Sequence, residues 1–306
     1  MKPIFVYSPA YQVGMAGLEK LHPFDINKYK KIYEKLISTD LIKAEEVVEP
    51  RAVSDDELLL VHTPEFMEGL QSADTVARFL EASWVAMFPM ALVERFVLSP
   101  LRMATGGTIK AARLALQHNK LAINLGGGFH HAKPFQGEGF CVFADMAIAI
   151  ARLRKEGLLK RALVIDLDVH QGNGTAVCCA DDEDTFTFSM HQGNLYPIPK
   201  ERSSLDVELA EGTNDEEYMG FLESNLESVL DEAKADLVIY QAGCDPVKGD
   251  PLANLAMSPQ GIVHRDRYVI ERCRERSLPV VMTLGGGYSQ NAWEIQFASI
   301  RTLIAS

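Results

Sequence analysis

Six predominantly apolar runs punctuate the chain: Ile4–Tyr7, Leu121–Leu125, Ala162–Val169, Thr185–Met190, Leu237–Gln241 and Pro279–Leu284. A strand that alternates apolar and polar residues covers one face of a sheet, whereas one that is apolar along its length has to be buried on both, which favours a parallel sheet between helices. Between the runs lie segments with apolar residues at helical spacing: Ile26–Ser38, Pro100–Gln117, Ala144–Lys155, Glu216–Ala233, Pro259–Arg276 and Asn291–Ile304. This alternation predicts an α/β fold with a mainly parallel central sheet and helices on both faces. No internal repeat, low-complexity tract or linker rich in Pro, Gly and Ser interrupts it, so residues 1–306 are expected to form a single domain.

Composition excludes several classes of function. With 47% hydrophobic and 24% charged residues the chain can bury a core, which argues against disorder. A formal net charge of −12, with no Lys/Arg cluster interleaved with aromatics, argues against direct nucleic-acid binding. The acidic excess suits a cationic substrate, and equally an ordinary soluble surface. The five cysteines are odd in number and form no C-x-x-C pattern, as expected in a reducing compartment. The run Ile4–Tyr7 is too short for a signal peptide, and nowhere do 18 uncharged apolar residues follow one another. A cytoplasmic protein that does not engage a membrane is the expectation.

The clusters of Gly, Pro and polar residues follow the strand-like runs: Gly126–Gly128, His170–Gly174, Gly243–Pro246 and Gly285–Gly287. In open parallel sheets ligands bind outside the carboxyl ends of the strands, so an active site is expected at that edge. Asp166, Asp168 and His170 fall at alternate positions of one run and would share a strand face. Burying two carboxylates there is costly unless a cation or strong donors compensate. Asp168 and His170 can offer one oxygen and one nitrogen to a metal, and Asp245, in a Gly-Cys-Asp-Pro turn, is the natural third ligand. Three protein ligands with an open position describe a catalytic zinc site. A lone D-x-H can also be structural, and Asp-Pro is often only a turn. His130 and His131 follow three glycines that leave room for a ligand, so one could act as a base and the other as its electrostatic partner, unless they form a plain surface pair.

These residues resemble the histone deacetylase family through Gly126–Ala132 (GGGFHHA), Asp166–Gly174 (DLDVHQGNG), Ala242–Pro246 (AGCDP) and Leu284–Tyr288 (LGGGY), in the family's order. His62–Phe66 and Gly137–Cys141 extend the resemblance over nearly the whole chain. It implies an arginase-like α/β fold and a hydrolase with one zinc ion per chain, bound by Asp168, His170 and Asp245, that removes acyl groups from acylated lysine in a protein or peptide, or from another acylated amine. His130 and His131 would be the paired histidines and Tyr288 the hydroxyl that stabilises the oxyanion. Asp166 would orient His130. Asn173 would support His131 at a position where many members carry aspartate; an amide brings no charge to raise the histidine pKa, so His131 is expected to be neutral at pH 7. Gly139, Phe140 and Gly286 would line an acyl-lysine channel, and Tyr196 would form its facing wall or else be plain core. A monovalent cation, usually potassium, is implied near Asp166, Ser189 and Met190. The form of Asp166–Gly174, with His22–Asp25, is most similar to the class IV branch, which is associated with longer fatty-acyl groups as well as acetyl.

Three rivals compete with this reading. An arginase-like two-metal ureohydrolase needs further carboxylates where Gln171, Gly172 and Cys244 stand. An acetylpolyamine deacetylase uses the same zinc chemistry on a small cation, with an inserted loop for which this length leaves little room. A non-catalytic acyl-lysine binding module would keep the fold without turnover, although every expected catalytic position is filled.

Overall fold

The computed structural model describes residues 2–14 and 17–305. Eight strands form one sheet: β1 (Ile4–Val6), β2 (Val47–Val48), β3 (Leu121–Asn124), β4 (Ala162–Asp166), β5 (Thr185–Gln192), β6 (Leu205–Leu209), β7 (Leu237–Gln241) and β8 (Val280–Thr283). Their spatial order is β2-β1-β3-β8-β7-β4-β5-β6, and every neighbouring pair is parallel. The central strands β3, β8, β7 and β4 are buried along their whole length, as their unbroken apolar character requires.

Two helix layers provide that cover. The helices Ser99–His118 and Asp145–Lys155 pack on each other, and Asp215–Ala233, Pro259–Glu275, Ala292–Ala305 and Asn27–Ser38 pack in succession as a second group. All six helical segments expected from spacing are present, with no end shifted by more than one residue.

Two features of the fold went unread in the sequence, and one expectation needs correction. The edge strands β2 and β6 went unread because they carry no long apolar run: β2 has two residues and β6 is mostly half-buried. The stretch 55–98 folds into short helical turns, Asp55–Leu58, Pro64–Gly69, Ala73–Phe79, Ser83–Met87 and Met90–Val93, and a π-helical turn, Glu94–Leu98, carries the last of these directly into Ser99–His118. There the Ser99 N–H reaches back to Glu94 O, and Pro100, which has no N–H to donate, follows without breaking the helix. The correction concerns Asp166, Asp168 and His170, which do not alternate along one strand, because β4 ends at Asp166. The Asp168 N–H turns to Asp166 Oδ1 at 3.2 Å and the His170 N–H to Asp168 Oδ1 at 3.1 Å. Side-chain carboxylates thus capture the backbone donors that a longer ladder would have used.

Candidate active site

The chain passes from β3 to β4 across a gap that β7 and β8 fill later, so the carboxyl ends of β3, β8, β7 and β4 lie side by side. Each end releases one of the glycine-bearing turns, and this reversal of strand order opens a crevice. Asp145 fixes the first turn, accepting the N–H groups of Gly128 at 2.9 Å and Phe129 at 2.8 Å while Thr108 Oγ1 donates to it at 2.5 Å. The loop after β3 is therefore pinned just before the paired histidines.

Asp168, His170 and Asp245 meet in the crevice, with one ligand atom from each lying within 4.8 Å of the others. His170 Nδ1 is 3.0 Å from Asp168 Oδ1 and 3.3 Å from Asp245 Oδ2. The remaining oxygens are held from behind: Asp168 Oδ2 accepts from the Gly286 N–H and from Gln241 Nε2, both at 2.9 Å, and Asp245 Oδ1 accepts from the Val169 N–H at 2.9 Å. Asp245 Oδ2 is buried and accepts no hydrogen bond. Two buried carboxylates this close repel each other, so burial and the Asp168 charge push the Asp245 carboxyl up to about 7. An orphaned oxygen, a second carboxylate and an imidazole nitrogen directed at one point fit a divalent cation with mixed O and N ligands. Gly286 is required beside them, since a Cβ there would come within 2.1 Å of Asp245 Oδ2.

The two histidines are set apart by their partners. His130 Nδ1 lies 2.8 Å from Asp166 Oδ2; burial disfavours its charged form, but the Asp166 and Asp168 carboxylates outweigh that and hold it at about 9. His131 Nδ1 lies 2.6 Å from Asn173 Oδ1; burial, together with the charges of His130 and His170, keeps it well below its ordinary value. Adjacent imidazoles with opposed pKa shifts form an acid and base pair. The Tyr288 ring is 6.0 Å from that of His170, and burial next to Asp168 and Asp245 raises its hydroxyl well above the usual phenol value, leaving it a hydrogen-bond donor.

A cavity of about 790 Å3, counted to its open mouth, runs from these groups into the protein. His130, His131, Gly139, Phe140, Gly286 and Tyr288 line it near Asp168, His170 and Asp245, and Val13, Ile26, Leu80, Trp84, Val97 and Leu101 supply apolar wall. Gly286 is wall only, its N–H directed at Asp168 and its carbonyl accepting from Lys28 Nζ at 3.1 Å. Tyr196 is 39% exposed and stands outside the lining, with its ring 5.1 Å from that of His131. It is therefore not core, and it packs edge-on to His131 and His170 from outside that lining. Ser189 pairs with Asp166 in the β4–β5 register and commits its hydroxyl to His191 Nδ1 at 2.9 Å, with Met190 buried beside it.

Sequence reasoning missed the supports. Asp250 Oδ2 accepts the N–H groups of Tyr288 at 2.7 Å and Ser289 at 3.0 Å, and Lys28, 1% exposed, donates to Gly285 O at 2.7 Å. Gln241 holds both Asp168 and the Gly243 N–H. Of the three, Gln241 alone carried a signal, a polar residue closing an apolar strand.

Compared with known proteins, residues 22–302 match the model of the histone deacetylase domain. The chain is 40% identical to histone deacetylase 2 of Arabidopsis thaliana, over 99% of this chain and 79% of that one. It is 38% identical to an uncharacterized protein of Picosynechococcus, covering 95% and 94%, and 30% identical to the acetoin utilization protein AcuC of Bacillus subtilis, covering 83% and 68%. In fold it is similar to the crystal structure of the HDA15 HD domain, with a TM-score of 0.78 at 20% identity, over 99% of this chain and 90% of that one.

Proposed function

The chain belongs to the histone deacetylase domain family, and from that premise we propose that it is a zinc-dependent hydrolase acting on the ε-amide of acylated lysine in proteins or peptides. The observation that carries this reading is the meeting of Asp168, His170 and Asp245 beneath the paired histidines, with Asp245 Oδ2 left without a partner. Those three residues would hold the zinc ion, which supplies Lewis acidity that polarises the amide carbonyl and acidifies water.

The chain's own groups do the rest. His131, neutral and with Nδ1 engaged by Asn173, offers Nε2 to take the proton of the attacking water. His130, held as a cation by Asp166, places positive charge beside the carbon under attack. The Tyr288 hydroxyl donates to the oxyanion, and its loop is fixed by Asp250 so that little reorganisation is needed. His131 then returns its proton to the leaving amine. Phe140 and Tyr288, with ring centroids 5.9 Å apart, flank the lysine stem. The apolar wall of Leu80, Trp84, Val97 and Leu101 supports acyl chains longer than acetyl, as does the class IV-like form of Asp166–Gly174. The potassium assignment near Ser189 rests on the resemblance alone.

The test is a turnover screen over acetyl-, octanoyl- and myristoyl-lysine peptides and acetylspermidine, with and without a chelator. Hydrolysis of acyl-lysine peptides that the chelator abolishes and zinc restores is expected. Turnover of acetylspermidine alone would transfer the reading to a polyamine deacetylase, and measurable peptide binding without turnover by the zinc-loaded protein would make it a binding module.

A further inference from the structure

Asn173 is an amide where a carboxylate would act directly on His131, yet a carboxylate lies one hydrogen bond further out. Asn173 Nδ2 donates to Glu138 Oε1, in a chain His131–Asn173–Glu138 whose inner link spans 2.6 Å. His131 and Asn173 are 2% and 1% exposed, so water has little access to the inner link, while the Glu138 side chain is partly buried. Glu138 is itself restrained: Gln136 Nε2 donates to its Oε2 at 3.0 Å, Lys133 Nζ lies 3.4 Å from its Oε1, and its backbone forms a two-way bridge with Cys141. The turn that carries it presses on His131, for a Cβ at Gly139, where φ is +53°, would come within 2.4 Å of that ring.

The orientation of the amide follows from this. A carboxylate accepts and cannot donate, so the Asn173 amino group has to face Glu138 and its carbonyl oxygen has to face His131. An imidazole nitrogen that faces a carbonyl oxygen at hydrogen-bond distance carries the proton. The proton therefore sits on Nδ1 of His131 and the lone pair on Nε2. We propose that Glu138 is a positioning residue that selects the base-competent tautomer of His131 by fixing which way the Asn173 amide points. Without an acceptor-only neighbour the amide has two workable orientations; in the flipped one it donates to Nδ1, the ring proton moves to Nε2, and no lone pair faces the attacking water. This inference rests on the role of His131 given above.

Glu138→Gln tests it, because the new side chain can accept from or donate to Asn173 and no longer dictates the orientation. In zinc-loaded protein at pH 8, kcat on an acyl-lysine peptide is expected to fall on the order of tenfold, part of the usual contribution of a positioned general base, with KM and zinc content held. Ring 15N spectra of labelled histidine should show His131 protonated at Nδ1 in the unaltered protein and distributed between both nitrogens in the variant. Adding Asn173→Asp to Glu138→Gln puts an acceptor-only group directly on Nδ1 and should restore the single tautomer and most of kcat, a rescue that a merely structural role of Glu138 does not predict. A Glu138→Gln protein that keeps both kcat and the Nδ1-protonated form would overturn the assignment, as would failure of Asn173→Asp to restore that form. Should the unaltered protein hydrolyse no acyl-lysine peptide, the functional reading fails while the nitrogen spectra still decide the role of Glu138.

Discussion

Tyr288 is held by its backbone and ring contacts, with Asp250 gripping its N–H and Phe24 and Phe140 packing edge-on to its ring. Removing only the hydroxyl should leave that packing in place. Tyr288→Phe is therefore expected to lower kcat by about 10²–10³, the usual cost of losing one oxyanion donor, with zinc content and melting temperature unchanged. Unaltered turnover would remove Tyr288 from the mechanism. Substituting a ligand has a different signature: His170→Ala should lose stoichiometric zinc as well as rate, measured by elemental analysis. The pH profile tests the histidine pair, since His131 is held low by burial and stays neutral, and active as a base, on the acid side of pH 6.5. Asn173→Asp adds a negative charge that favours the imidazolium, so the acid limb of kcat/KM should move to higher pH. The site residues legible in the sequence were those carried by motifs. Lys28 was not, because a lysine on the amphipathic helix Asn27–Ser38 reads as a solvated face, and only the packed fold shows it 1% exposed against the Gly285 and Gly286 carbonyls.

Elements were legible where burial leaves a periodic mark. β7 was read to the residue because both its faces are covered, whereas β6 lies at the sheet edge and carries Asp206 at a half-buried and Glu208 at an exposed position. The short helical turns between 55 and 98 are too brief for a period to emerge, and local caps hold them. Glu57 is the strongest of these: it closes the capping box of Asp55–Leu58 through the Ser54 N–H at 3.0 Å, takes two bonds from Arg51 at 2.6 and 2.7 Å, and lies 3.2 Å from Arg152 Nε on the helix Asp145–Lys155. The Arg51 hydrogen bonds, against burial, hold its carboxyl down at about 2. A depressed folded-state value stabilises above the ordinary 4.5, and that contribution is lost as pH falls from there through 2. Glu57→Gln keeps an acceptor for the Ser54 N–H but gives up the charge on the Arg51 pair, so it should be less stable at pH 7 by about 1 kcal/mol or more and should show a shallower fall in melting temperature between pH 4.5 and 2. Parallel stability curves for the two proteins would refute this.

Across the whole molecule, the proposed metal ligands Asp168, His170 and Asp245 tie the end of β4 to that of β7 through carboxylates that repel without a cation. Stripping the ion should therefore lower the melting temperature as well as abolish turnover, by the linkage that contributes about 4 kcal/mol when free zinc is a thousandfold above its Kd. A chelated protein that melts where the loaded one does would mean that the ion does not sit between those carboxylates. The fold class was legible from alternation alone, but the order of strands was not, because no local pattern tells β3 that its neighbour is a segment more than 150 residues away. That order bears on synthesis. β7 and β8 are the last strands to be made, and Asp245 and Tyr288 come with them, so a polypeptide that ends at residue 236 carries His130, His131, Asp168 and His170 without the two groups that complete the site. The site is therefore whole only once β7 and β8 stand between β3 and β4, and a chain that stops before them is expected to lack turnover altogether and not merely to be slowed.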